Sequence, residues 1–194
     1  PEMPNMLVQA VIDQGSVAVE VPAGSDPVSL LAPAPGAVYT GFKAFDGGRF
    51  LALPYHLTRL AQSARQAGHL TGPTHSELRR ALAAACDRWG PTEARVLIEL
   101  LRQPLPALHP TACAFVMLWP TRPPDPVMAR DGVRAVLAAP NTQRDDPTTK
   151  RSDWRQERAA LMTDPSAYEH LLVSPTGHVL EGFTSNFYGV IGET

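Results

Sequence analysis

Tyr39-Thr-Gly-Phe-Lys-Ala-Phe-Asp-Gly-Gly48 begins as a β-strand and closes as a hairpin turn. Its aromatic and β-branched residues suit a pleated, half-buried surface, and Asp46-Gly47-Gly48 supplies residues that tolerate the left-handed backbone a tight hairpin needs. Residues 6–13 have the same strand composition, so an antiparallel start to the fold is expected. Because alternate residues of a strand share a face, Tyr39, Gly41 and Lys43 are expected to point together.

From Tyr55 the apolar spacing becomes helical, with Leu57, Leu60, Ala61 and Ala64 on one side and Gly68 placed to end the run. A second helix carries a stronger local signature. Thr74-His-Ser-Glu77 fits a capping box, Leu78, Ala81, Leu82 and Ala85 form an apolar stripe, and Gly90-Pro91 terminates it. Strands are expected at 94–101 and 112–119. The segment 120–126 has four prolines in seven residues, which disfavours helix and sheet alike and suits an extended connector. The expected organisation is therefore a first domain over 1–119, a linker over 120–126 and a second domain over 127–194. Within the second, 132–138 reads as a strand, 153–162 as a helix and 169–174 as a strand. Pro175-Thr-Gly177 turns the chain back through 178–180, and 186–191 again has strand composition. No internal repeat is visible.

With 194 residues, 44% of them hydrophobic, the chain can bury a substantial core. A formal net charge of −2 gives no electrostatic reason to expect a nucleic-acid or acidic-membrane partner. Neither a run of about 18 apolar residues nor a basic, apolar, small-residue leader is present, so a cytoplasmic setting is expected. Cys86 and Cys113 show no metal-ligand spacing and are expected to be reduced packing residues, with no structural metal.

The basic residues are strongly biased. Of 17, 15 are arginine and only Lys43 and Lys150 are lysine. Arginine stays protonated, whereas a desolvated lysine amine can attack a carbonyl, so a chain that uses arginine for ordinary charge has reason to keep lysine where a nucleophilic nitrogen is needed. Three separated segments bring together residue types that can carry chemistry: His56-Leu-Thr-Arg59-Leu60, Thr148-Thr-Lys-Arg-Ser-Asp-Trp154 and Glu181-Gly-Phe-Thr-Ser-Asn-Phe-Tyr188.

Taken in order with the strand at Tyr39, these segments resemble the class IV, or fold-type-IV, aminotransferases. That family depends on pyridoxal 5'-phosphate (PLP) and includes branched-chain and D-amino acid aminotransferases and aminodeoxychorismate lyases. The resemblance runs over nearly the whole chain. It implies an α+β, two-domain enzyme: a small N-terminal α/β domain followed by the first part of a larger mixed-sheet, PLP-binding domain. It implies that Lys150 is the catalytic lysine, forming the internal aldimine, and that Glu181 faces the pyridine nitrogen. Arg59 would hold the cofactor phosphate, with Thr184 and Ser185 as further cofactor contacts. Tyr39 and Lys43 would face the substrate. The implied reaction is transfer of an amino group between an amino acid and a 2-oxo acid, in a homodimer.

Some residues depart from the family pattern. Phe183 stands where a small residue is common, which points to a differently built loop. Arg155 stands where many branched-chain enzymes have tyrosine, so substrate identity does not carry over, and Trp154 beside it is expected to anchor the helix in the core. Arg95 and Arg144 are read as surface charge, and His56 receives no catalytic role. Related chains continue for roughly another third of the fold, so the second domain is expected to be incomplete. Two alternatives stay open: an aminodeoxychorismate lyase-type PLP enzyme, and a truncated, non-catalytic binding or assembly protein.

Overall fold

A computed structural model gives the fold and describes residues 5–13, 15–32, 34–139 and 149–185. The chain divides into two compact units, the first comprising Pro1–Arg122 with Thr148–Asp153, the second Pro123–Pro147 with Trp154–Thr194.

The first unit is built on a six-stranded antiparallel sheet. Its strands are β1 (Leu7–Ile12), β2 (Gly15–Val19), β3 (Val38–Phe45), β4 (Arg49–Phe50), β5 (Ala94–Leu100) and β6 (Ala114–Pro120), in the order β2-β1-β6-β5-β3-β4. The hairpin expected after Phe45 is present, pairing Phe45 with Arg49, and Asp46, Gly47 and Gly48 all take positive φ. Helices α2 (Leu53–Gln66) and α3 (His75–Trp89) cover one face. There Leu57, Leu60, Leu82 and Ala85 pack on Val96, Ile98, Val116 and Leu118, all nearly or fully excluded from solvent. Full burial of each leucine contributes about 1.5–3 kcal/mol. The opposite face carries Val8, Leu97, Phe115 and Met117 beneath Leu31 of the short α1 (Pro27–Leu31). Both faces are therefore buried, which is why β5 and β6 read as continuous apolar runs rather than alternating ones.

Thr74 caps α3 as expected, and its backbone N–H and that of Glu77 are satisfied reciprocally. Strand β2 and helix α1 lie outside the sequence expectations. For α1 the cause is local: Asp26 accepts the N–H groups of Val28 and Ser29 at 3.0 and 3.1 Å and starts a single short turn.

The second unit holds α4 (Pro126–Asp131), β7 (Ala135–Leu137), α5 (Trp154–Ala160), β8 (Glu169–Val173) and β9 (Val179–Gly182). Its sheet is mixed: β7 runs parallel to β8, and β8 antiparallel to β9. The expected connector is shorter than 120–126, because β6 runs through Pro120 and α4 begins at Pro126. Asp125 caps that helix by accepting the Val127 N–H at 2.7 Å, and proline at the first helical position gives up an N–H that would have no partner there. A small core forms around Trp154, Leu172 and Phe183. The expected strand at 186–191 and Arg144 lie outside the described residues. Among the described residues no helix is long and apolar enough to cross a membrane.

Candidate active site

Strand β3 is eight residues long, but β4 pairs only with its far end. The free edge at its beginning is taken by the segment that carries Lys150. The Lys150 carbonyl accepts the Tyr39 N–H at 2.9 Å, Val38 bridges Arg151, and the Ser152 N–H donates to the Ala37 carbonyl at 2.8 Å. Side chains extend the attachment. Asp153 accepts the Gly36 N–H at 3.0 Å, and the Ser152 hydroxyl donates to the fully buried Glu99.

Helix α2 holds the same segment from another side. The Lys150 N–H donates to Ser63 Oγ at 3.3 Å, and the Thr149 hydroxyl donates to Gln66 Oε1 at 2.8 Å. One turn earlier on this helix stands Arg59, whose Nη2 donates to Thr40 Oγ1 at 3.2 Å. His56 Nδ1 lies 3.1 Å from the same hydroxyl oxygen. The intervals between His56, Arg59, Ser63 and Gln66 are three, four and three, so these polar residues form one stripe along α2. The stripe was legible in the sequence as polar positions at helical spacing; its partners Thr40 and Lys150 were not.

Arg59 has one unusual feature. Its guanidinium lies 5.8 Å from the Tyr55 ring centre, Nη2 is committed to Thr40, and Nε is buried with no hydrogen-bond acceptor among the described residues. A buried donor left without an acceptor costs about 1–3 kcal/mol, so the position suits an incoming anion. Next to it, burial pushes the His56 imidazole below its ordinary pKa, and the Arg59 charge acts in the same direction. Neutral His56 leaves Arg59 as the cation of this cluster.

Tyr39 and Lys43, both on β3, are placed differently. Tyr39 packs partly into the cluster on the sheet face away from α2 and α3. Lys43 lies roughly 13 Å further along the strand. It is exposed and ion-paired with Glu93 at 2.7 Å, a hydrogen bond that holds the Glu93 carboxyl below its ordinary value. Arg95 stacks on Trp119 at 5.5 Å.

In the second unit Glu181 lies on β9, paired with Leu172 and half-buried. The loop beyond it is organised by a residue that sequence reasoning passed over. Glu169, buried on β8, accepts from the Thr184 N–H at 3.1 Å, from the Thr184 hydroxyl at 2.5 Å and from the Ser185 hydroxyl at 2.8 Å. Its other oxygen accepts the His170 N–H at 2.9 Å. Burial works to raise the Glu169 carboxyl, but the hydrogen bonds from Thr184, Ser185 and His170 outweigh it and leave the carboxyl below its ordinary value. Each hydroxyl has one proton, and Thr184 and Ser185 both give theirs to Glu169. Phe183 fills the space between Trp154, at 5.7 Å, and His170, stacked at 5.3 Å. A bulky residue at that position thus serves as the core of this small unit. Among the described residues no group of three or more His, Cys, Asp or Glu is arranged to hold a metal.

The family model described as amino-transferase class IV matches residues 37–194. Among solved structures, a hypothetical aminotransferase from Mycobacterium tuberculosis in its PLP-bound form is 28% identical, with a TM-score of 0.66 over 92% of this chain and 66% of that one. The same protein in an alpha-ketoglutarate- and PMP-bound form is 27% identical, with a TM-score of 0.64 over 91% and 65%. A fold IV transaminase from Curtobacterium pusillum is 20% identical, with a TM-score of 0.65 over 92% and 67%, a likeness of fold alone. The chain thus spans about two thirds of the length of these structures. No curated protein matches it.

Proposed function

The chain belongs to the class IV amino-transferases, and on that premise we propose that it holds pyridoxal 5'-phosphate and moves an amino group between an amino acid and a 2-oxo acid. The observation that carries this reading is the buried Nε of Arg59, which has no acceptor among the described residues and lies within a helical turn of the contact that anchors Lys150. An amine for the aldehyde, a multidentate cation for the phosphate and a carboxylate for the ring nitrogen are the groups such a cofactor requires. Lys150, Arg59 and Glu181 are residues of those three types. When bound, the cofactor supplies an electron-accepting ring.

The chain's own residues carry out the remaining work. Arg59 binds the phosphate oxygens through its guanidinium donors. Glu181 would accept a hydrogen bond from the protonated ring nitrogen, and its negative charge would keep that proton on the ring. The Lys150 Nζ would serve as the base that takes the substrate alpha proton and as the acid that gives a proton back. The hydrogen bonds to Tyr39 and Ser63 fix the Lys150 backbone, and with it the point from which the amine reaches the cofactor. The M. tuberculosis forms with PLP, and with alpha-ketoglutarate and PMP, support both cofactor and oxo-acid class. A homodimer belongs to the same reading.

The test is reductive trapping. With two lysines in the chain, borohydride treatment in the presence of PLP should leave a permanent pyridoxyl mass on the Lys150 peptide. The mass should vanish in Lys150→Ala and persist in Lys43→Ala. Absence of label from the unmodified chain, or label indifferent to Lys150→Ala, would overturn the proposal.

A further inference from the structure

The Thr40 side chain is fully buried, and its hydroxyl oxygen faces two groups, His56 Nδ1 at 3.1 Å and Arg59 Nη2 at 3.2 Å. A hydroxyl has one proton to donate and two lone pairs. The guanidinium can only donate, so it takes a lone pair. The buried Thr40 proton then needs an acceptor, and among the described residues His56 Nδ1 is the one within reach. That nitrogen must therefore be unprotonated, with the imidazole proton on Nε2.

We infer that His56 and Thr40 act in series as positioning residues for Arg59: neutral His56 accepts the Thr40 proton, which turns a Thr40 lone pair onto Nη2 and fixes the guanidinium for a phosphate. The inference rests on the proposed role of Arg59 and deepens it.

Three further observations support the arrangement. The Phe42 ring lies 4.8 Å from the His56 ring and the Tyr55 ring 6.2 Å away, contacts that help hold the imidazole in the orientation that presents Nδ1 to Thr40. Its ionisation is displaced towards the uncharged form, by burial first and Arg59 second. Finally, the guanidinium is held at Nη2 and at the Tyr55 face while Nε has no acceptor among the described residues, a cation oriented in advance for an anionic ligand. Without Thr40, Arg59 would remain charged but lose its fixed orientation, and the bidentate geometry that a phosphate rewards depends on orientation.

The experiment compares the affinity of the full chain for PLP and for pyridoxal, the same ring without phosphate, by spectroscopic titration. Thr40→Val keeps the β-branched shape and removes the hydroxyl. It should weaken PLP about tenfold, the loss of one charge-assisted hydrogen bond, and leave pyridoxal within about twofold. Thr40→Ser should restore PLP affinity. His56→Phe should reproduce the Thr40→Val loss, and the double variant should be no worse than either single one, since residues acting in series do not add.

Equal loss of PLP and pyridoxal, additive losses, or PLP affinity unchanged in both single variants would overturn the inference. Should Thr40→Val fail to fold, His56→Phe and Thr40→Ser carry the comparison. A parent chain that binds both ligands alike, or an Arg59→Met variant that does, would instead overturn the phosphate role of Arg59 itself.

Discussion

The Lys150 carbonyl accepts the Tyr39 N–H at 2.9 Å, which makes the lysine segment an edge rung of β3. The same lysine's N–H is taken by Ser63 on α2. The Lys150 backbone is therefore set by two elements distant from it in the chain.

Ser63 is almost fully buried, so Ser63→Ala removes an acceptor that no solvent replaces. Leaving the Lys150 N–H unsatisfied costs about 1–2 kcal/mol locally. Hydrogen exchange at that amide should quicken by about tenfold, while amides in β5 and β6 keep their protection. Unchanged exchange at Lys150 would show that the segment's other hydrogen bonds hold it without Ser63.

Glu169→Gln should destabilise the second unit. An amide offers one acceptor oxygen where the carboxylate offers two, so its NH2 group must face donors. The expected cost is about 1–3 kcal/mol at neutral pH. The sign of the pH dependence follows from the depressed carboxyl. Its stabilisation is complete above the ordinary glutamate value of about 4.3 and is lost as pH falls through the lower folded value. Parent and variant melting temperatures should thus converge on acidification below about pH 4; a constant gap down to pH 2 would contradict this account.

Gly182 is required for space. A Cβ there would lie 2.6 Å from Ser185 Oγ, 2.9 Å from the Ser185 carbonyl and 3.0 Å from Glu169 Oε2. Its own N–H is bonded to that carbonyl at 2.9 Å, so the backbone cannot withdraw without breaking the loop. Gly182→Ala should cost about 1–3 kcal/mol and release the Thr184 and Ser185 hydroxyls from Glu169. Wild-type melting behaviour would exclude that crowding.

Burial, with the Asp87 charge adding to it, pushes the Cys86 thiol up to about 11, and burial raises Cys113 as well. The thiolate is the reactive form. At pH 8 a disulfide reagent should label native Cys86 about a hundredfold more slowly than it labels the same residue in denaturant. Rapid native labelling at Cys86 would show that the α3 face opens. For a thiol so raised, folding stability falls as pH climbs from about 8.5 towards the folded value.

How much was legible follows from where the deciding partners lie. The capping box at Thr74, the hairpin at Asp46 and the apolar stripes of α2 and α3 rest on neighbours within a few residues, and each appeared where its sequence pattern placed it. The pair Asp125-Pro126 is equally local and marks the start of α4, within a proline-rich stretch whose composition suits an extended connector. Thr40, Ser63 and Glu169 left no local mark, because each is polar only in the service of a partner far along the chain.

By itself the sequence determined the alternation of strands and helices and the residue types available for chemistry: two lysines among many arginines, and the Glu181 segment. Short-range sterics and solvent preference act on neighbouring residues, so those features are written locally. Tertiary structure alone decided that Lys150 would close the open edge of β3 and that Arg59 would lie over Thr40. It also decided that the hydroxyls of Thr184 and Ser185 would turn to Glu169. Those arrangements depend on which buried donor meets which buried acceptor, and that pairing is settled only when the chain is packed.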